Sequence, residues 1–297
     1  MAVTAKRQTL GSARIREALV GYAFVAVPMG LFLTFFIYPL VYSFYISRFD
    51  WGVFGKIETL GWGNYNELWH DEIFWRAIKN TLMYTAVVVP AEMALALALA
   101  VVVNAGIRGK AFFRSAFYFP SLASSAAITA IAVYILSADG LLNAMLGGQR
   151  AWFADSDTAL WSIAGLNAWT TSGTLMLFYL AALQAIPTDV YEAAAMDGAN
   201  TWRTFWKITF PLLKPGHFFV AVVSVIGALQ LFDQSFFVSK GSGGPNYSTL
   251  SAVLYLYRTA IADVRFGYAA AIGIALFVLI FTVTLIQRLL FGKAETA

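Results

Sequence analysis

The sequence predicts an all-α, polytopic membrane protein with six transmembrane helices, and three observations carry that prediction. Hydrophobic residues make up 60% of the chain and charged residues only 12%, with a mean hydropathy of +0.69, so the chain cannot cover itself with polar side chains. Its apolar runs are long enough to cross a hydrocarbon layer of about 30 Å. None of them alternates over ten residues as a barrel strand would, which leaves helices to satisfy the backbone.

Taken in order, the runs are 19–47, 81–104, 115–136, 160–183, 216–238 and 267–290. Each is close to the roughly 20 residues a spanning helix needs, and the first is long enough to tilt or reach into the interface. Lys6, Arg7, Arg14 and Arg16 precede the first run. That run is longer than a signal-peptide core and is followed by no small-residue cleavage site, so it is expected to remain as a helix. Pro28, Pro39, Pro90 and Pro120 lie in or beside spans, where neighbouring helices can satisfy the freed carbonyls.

Basic residues set the expected orientation. The N-terminus, the 104–114 and 187–214 loops and the C-terminal end together hold twelve Lys and Arg against five Asp and Glu. Loops 48–80, 137–159 and 239–266 hold eight against nine. The bias places the first set, and hence both termini, in the cytoplasm. The expected organisation is a cytoplasmic segment 1–18, a transmembrane domain 19–290 and a cytoplasmic tail 291–297. The net charge of +4 follows from this topology, and a nucleic-acid partner is not needed to explain it.

On the opposite side, GWGNYNELWHDEIFWRAIKN at 61–80 interleaves aromatic and charged residues, as suits a helix lying at lipid headgroup level. The 241–245 stretch, GSGGP, reads as a flexible turn. It lacks the Lys-Ser/Thr of a phosphate loop, and no such motif occurs elsewhere. An ATPase, if one is used, must be another chain. With no Cys there is no disulfide, thiolate metal site or Cys nucleophile. His70 and His217 read as ordinary interfacial side chains, and no metal site is expected.

Between the fourth and fifth spans the chain reads EAAAMDGANTWRTFWKITFPLLKP from Glu192 to Pro215, two short helix signals in a polar setting. Asp189 and Glu192 have capping-box spacing. Asp197-Gly198 ends the first helix, and Asn200 or Thr201 can cap the second. Trp202, Phe205, Trp206 and Thr209 recur at helical spacing, and Pro211 and Pro215 are expected to stop the helix before the fifth span.

Glu192-Ala193-Ala194, Gly198, Ile208 and Pro211 fit E-A-A-x3-G-x9-I-x-L-P, with Phe210 in place of Leu. This spacing resembles the EAA loop of ABC importer permeases. Further stretches make the chain similar to the carbohydrate-uptake, maltose and glycerol-3-phosphate transporter-like permeases. They are Gly63-Asn-Tyr65 with Asn80-Thr81, Phe113-Arg114 with Pro120, Leu183-Gln184-x-Ile186-Pro187, Phe232-Asp233, Gly243-Gly244-Pro245 and Gly267-Tyr268-Ala269-Ala270.

The resemblance implies a type I ABC importer permease fold in a prokaryotic inner membrane, importing a sugar or oligosaccharide. It also implies a second homologous permease, two ATP-binding subunits that carry ATP and Mg, and an extracytoplasmic solute-binding protein. No cofactor and no catalytic residue would belong to this chain. The hairpin 187–215 would seat in the ATPase, with Glu192, Ala193, Ala194, Asp197, Gly198, Trp202 and Arg203 as its coupling residues. Glu192 would meet a basic group there. The aromatic face of Trp202, Phe205 and Trp206 would bury against the ATPase or under the permease.

For the substrate pathway, Gln230, Asp233 and Gln234 fall at i, i+3, i+4 and are expected to form one polar stripe on the fifth span. An ionisable group is costly inside a membrane and usually faces the bundle interior. Asn167, Trp169, Thr170 and Thr171 add polar groups from the fourth span, where Trp169 could stack on a sugar ring. Ser121, Ser124 and Ser125 suit close helix packing, and Glu92 reads first as a structural residue. The spans hold no cluster of Lys or Arg, which argues against phosphate-bearing cargo. A polyol or glycerol-phosphate-type solute is the alternative cargo. An ion-coupled secondary transporter using Glu92 and Asp233 would be a different class, and it gives no account of the hairpin spacing. An intramembrane enzyme would need paired catalytic groups that the sequence lacks.

Overall fold

The computed structural model describes residues 6–105 and 109–291. The start of the N-terminal segment, Arg108 of the basic 104–114 loop and residues 292–297 of the tail lie outside them. In chain order the helices and strands are α1 (Lys6–Phe32), α2 (Tyr38–Ile46), β1 (Phe49–Gly52), β2 (Gly55–Thr59), α3 (Gly63–His70), α4 (Glu72–Asn104), α5 (Lys110–Leu122) and α6 (Ser125–Ile135). They continue with α7 (Leu141–Leu146), α8 (Ala159–Gln184), α9 (Thr188–Met196), α10 (Thr201–Thr204), α11 (Phe210–Leu212), α12 (Lys214–Leu229), α13 (Asp233–Ser239), α14 (Ala252–Ile261) and α15 (Phe266–Phe291). π turns at Leu33–Ile37 and Phe205–Thr209 join α1 to α2 and α10 to α11.

Glu17–Ile46, Glu72–Asn104, Lys214–Ser239 and Phe266–Phe291 are each long and apolar enough to cross a membrane. Two bent pairs, α5 with α6 and α8 with α9, bring the candidate spans to six. The predicted count therefore holds, but the third span is not one helix. Ala123 and Ser124 are extended, and α5 meets α6 at 92°. Ser121 Oγ ties the end of α5 to the Thr170 carbonyl at 2.6 Å, while α6 turns away to pack on α13.

The spine of the bundle is α4 against α8, with α12 laid across both. Buried residues on α4 recur about every four positions: Ala77, Thr81, Val88, Glu92, Ala96 and Ala100. The alanines let α8 approach closely, the usual device where lipid supplies no drive between helices. Met176, Tyr179 and Leu183 of α8 fill the space against Ala96, Ala100 and Val103. Close approach recurs at Gly173, where a Cβ would lie 2.3 Å from the Phe117 carbonyl of α5.

The predicted interfacial helix at 61–80 is divided. Its first half is α3; then Asp71 turns extended and its Oδ1 accepts the Ile73 and Phe74 N–H groups at 2.8 and 3.1 Å, starting α4 well before the expected residue 81. The other carboxylate oxygen takes hydroxyl protons from Tyr268, at 2.6 Å, and Tyr255. Asn64 donates to the Ser47 and Phe49 carbonyls at 2.8 and 3.0 Å, and Arg265 grips Glu67 through two bonds of 2.8 and 2.7 Å. Asn80 donates to Tyr247 and Leu250 carbonyls at 2.7 and 3.0 Å. The 241–245 stretch is hydrogen-bonded to its flanking residues. Ser239 Oγ accepts the Gly243 N–H at 2.9 Å, and Thr249 Oγ1 donates to the Gly244 carbonyl at 2.8 Å. These contacts make the end of the bundle opposite the helical hairpin a connected platform.

Burial opposes ionisation of Asp71, yet the two tyrosine hydroxyls and two backbone N–H groups outweigh it and hold its carboxyl below the ordinary value. A carboxyl lowered on folding stabilises the protein above its unfolded value and loses that contribution as pH falls through the folded one. The thermal midpoint of the detergent-purified protein should therefore drop on acidification below about pH 4, and Asp71→Asn should flatten that acid limb. At Gly267 a Cβ would lie 2.0 Å from the Phe49 carbonyl. Gly267→Val should lower the thermal midpoint by several degrees at neutral pH, measured by the same melting assay.

Candidate substrate cavity and helical hairpin

The fifth span breaks where its polar stripe was expected. α12 ends at Leu229, Leu231 and Phe232 are non-helical, and Asp233 begins α13. Gln230, Asp233 and Gln234 thus do not share one helix face. They nevertheless line the same cavity of about 330 Å³, because the break wraps around it. Leu231 lends its carbonyl to Ser251 Oγ at 2.5 Å, and Ser235 Oγ donates to the Thr249 carbonyl. The platform thereby satisfies the Leu231 carbonyl, a backbone group that the break releases.

Asn167 and Thr171 of α8 face this cavity. Asn167 is its hub: Nδ2 donates to the Tyr84 hydroxyl, while Oδ1 accepts Thr171 Oγ1 at 3.0 Å and Gln234 Nε2 at 3.4 Å. The other two expected residues of α8 do not join them. Trp169 lies two positions along the helix, on another face, and is 53% exposed. Thr170 folds its hydroxyl back to the Asn167 carbonyl at 3.2 Å.

Glu92, which the sequence reads first as structural, also borders the cavity. It is 2% exposed, on the buried stripe of α4, and lines the cavity opposite the break. Its position four residues from both Val88 and Ala96 was the available signal. The break itself had none, since residues 230–232 contain neither Gly nor Pro. The lining includes no Lys, Arg or His.

At the other end, α9 closes with a Schellman motif. Gly198 is left-handed at φ +71°, its N–H reaches the Ala195 carbonyl at 3.0 Å, and the Ala199 N–H reaches Ala194 at 3.0 Å. A Cβ on Gly198 would meet nothing within 4 Å, so conformation and not space calls for glycine there. Asn200 caps α10 as expected, accepting the Arg203 N–H at 2.8 Å. The expected capping box at Asp189 does not form, because Pro187 occupies the cap without a side-chain bond. As expected of the two prolines, α12 starts afresh around Pro215 and the preceding helix ends at Leu212, one residue after Pro211. The π turn before it widens the backbone and eases the ring past the preceding carbonyls.

Glu192, Ala193, Asp197, Trp202 and Arg203 are exposed on this hairpin, while Ala194 is buried against its own chain. Met196 at the tip is 89% exposed. Phe205, Trp206 and Phe210 border an apolar cleft of about 1430 Å³ with Met93 and Leu97 of α4, Trp206 and Phe210 remaining exposed; Trp202, also on the cleft, is 72% exposed. His217 links this cluster to the core, with Nε2 to the Phe210 carbonyl at 3.2 Å and Nδ1 to the Tyr179 hydroxyl at 3.0 Å. His70, at the other end, is exposed and bonds the Asn66 carbonyl at 2.8 Å.

The backbone is similar to that of a permease chain in the crystal structure of a bacterial alginate ABC transporter in complex with alginate pentasaccharide-bound periplasmic protein. The TM-score is 0.80 at 23% identity, over 93% of this chain and 95% of that one. In sequence the chain is 35% identical to the probable ABC transporter permease protein YesP of Bacillus subtilis, covering 91% of this chain and 90% of the relative. It is 34% identical to the lactose transport system permease protein LacF of Rhizobium radiobacter, covering 90% and 92%. Residues 92–295, from the cavity carboxyl through the hairpin and α15, match the family described as binding-protein-dependent transport system inner membrane component. This chain is a member of that family, a multi-pass ABC importer permease and not an enzyme.

Proposed function

We propose that the chain is the translocation subunit of an ATP-driven importer of sugars or oligosaccharides. A second, homologous permease would complete the pathway, and two ATPase subunits would grip the hairpin. A solute-binding protein would deliver cargo to the platform of α3, the β1–β2 hairpin and the 239–266 loop. In this reading the helical hairpin faces the cytoplasm, the platform faces outward, and lipid surrounds the bundle. The observation that carries the reading is the hairpin: a stiff, capped bracket with exposed charge, joined to α8 and α12, whose break forms the polar cavity. Motion imposed on the bracket reaches that cavity through two helices. The sugar cargo rests on the lactose relative and on the cavity's amide, hydroxyl and carboxyl groups, which suit hydroxyl-rich ligands.

The chain contains no Cys, so single thiols report topology cleanly. Met196→Cys should react with a membrane-impermeant maleimide only in inside-out vesicles and Phe54→Cys only in right-side-out ones; the reverse pattern would overturn the orientation. Coupling is tested at Gly198. Ala in a left-handed conformation costs about 1–2 kcal/mol, whereas Asn tolerates it. In the complete transporter reconstituted in liposomes, Gly198→Ala should lower sugar uptake several-fold per ATP hydrolysed, and Gly198→Asn should restore most of it. Equal coupling in both variants would remove the hairpin from its assigned role.

A further inference from the structure

We propose that Glu92 and Asp233 are a specificity-determining pair that turns the cavity against anionic saccharides, so that this subunit passes neutral or amino-bearing sugars. The inference rests on the reading of the cavity as part of the sugar pathway. Glu92 comes from the buried face of α4 and Asp233 from beyond the break in the fifth span, two elements distant in sequence that meet at one cavity. Neither carboxyl has a cationic partner: among the described residues the ion pairs are Arg150–Asp155 and Arg265–Glu67, both elsewhere.

Glu92 is only 2% exposed. Here it faces open volume shared with Asn167, Gln230 and Gln234. Carboxyl and amide oxygens accept bonds from sugar hydroxyls or from an ammonium group. A uronate or phosphate entering the same space meets the exposed Asp233 carboxyl and the acceptor oxygens of Glu92, with no Lys, Arg or His to pair it. The chain's fold is shared with a transporter solved with alginate, an acidic polymer, so this lining and not the architecture would decide the charge of the cargo.

The test uses the complete transporter in liposomes with neutral di- and trisaccharides, lactose among them, each paired with its C6-carboxylate. The binding protein's own preference is measured separately and divided out. The wild type should then favour the neutral member by at least about tenfold, equivalent to 1.4 kcal/mol. Glu92→Gln combined with Asp233→Asn should bring that ratio near one, whatever the variant's total uptake rate. An unchanged ratio in a variant that still transports overturns the proposal. If the double variant fails to assemble, wild-type protein decides: the transported neutral saccharide should protect Glu92 and Asp233 from carbodiimide labelling, read by peptide mass spectrometry, and absence of protection refutes the pair. Failure of wild type to move any saccharide would instead refute the sugar reading itself.

Discussion

A broken helix inside a membrane must find partners for the backbone groups it releases, and here the Ser251 hydroxyl supplies one. It donates to the Leu231 carbonyl at 2.5 Å and accepts the Leu254 N–H at 3.1 Å, so one side chain both completes the break and caps α14. Water is not available to do this in the hydrocarbon region, and an unsatisfied carbonyl there is costly. The non-helical segment is therefore tolerable only while the 239–266 loop is folded against it. That loop is in turn held to α4 by Asn80, which binds two of its carbonyls, and by Thr81 Oγ1, which accepts the Ala252 N–H at 2.9 Å. The polar cavity and the platform are one cooperative unit.

This dependence separates what could be read in the sequence from what could not. Helix ends are local: Gly198 and Asn200 announce their roles through the conformation and hydrogen bonds each supplies, and both stand where the residues indicate. Asn167, Thr171, Gln230, Asp233 and Gln234 were recognisable as costly polar groups in apolar runs, and they line one cavity. The break at 230–232 is a tertiary product, created by partners twenty residues away, and no local breaker marks it. Glu92 escaped for a related reason. A lone carboxyl beside Pro90 reads as a helix-packing residue until the broken segment appears opposite it.

Prolines illustrate the same limit. Pro39 and Pro211 each stand two residues beyond a π turn; the helix runs on from Pro39 to Ile46, whereas past Pro211 it ends at Leu212. Pro28, Pro90 and Pro120 sit inside α-helices without one. A sequence alone gives the same letter in every case.

The first helix stands apart from all of this. Every residue from 17 to 39 is exposed within the chain, and farther along the rod α2 packs on α15 and β1. Its position is thus set by transfer into lipid and by whatever polypeptide lies alongside, not by the core that α4, α8 and α12 build. During synthesis it can settle in the bilayer before any later helix exists. The segment is a mooring line: it fixes where the subunit floats while contributing little to whether the remainder holds its shape.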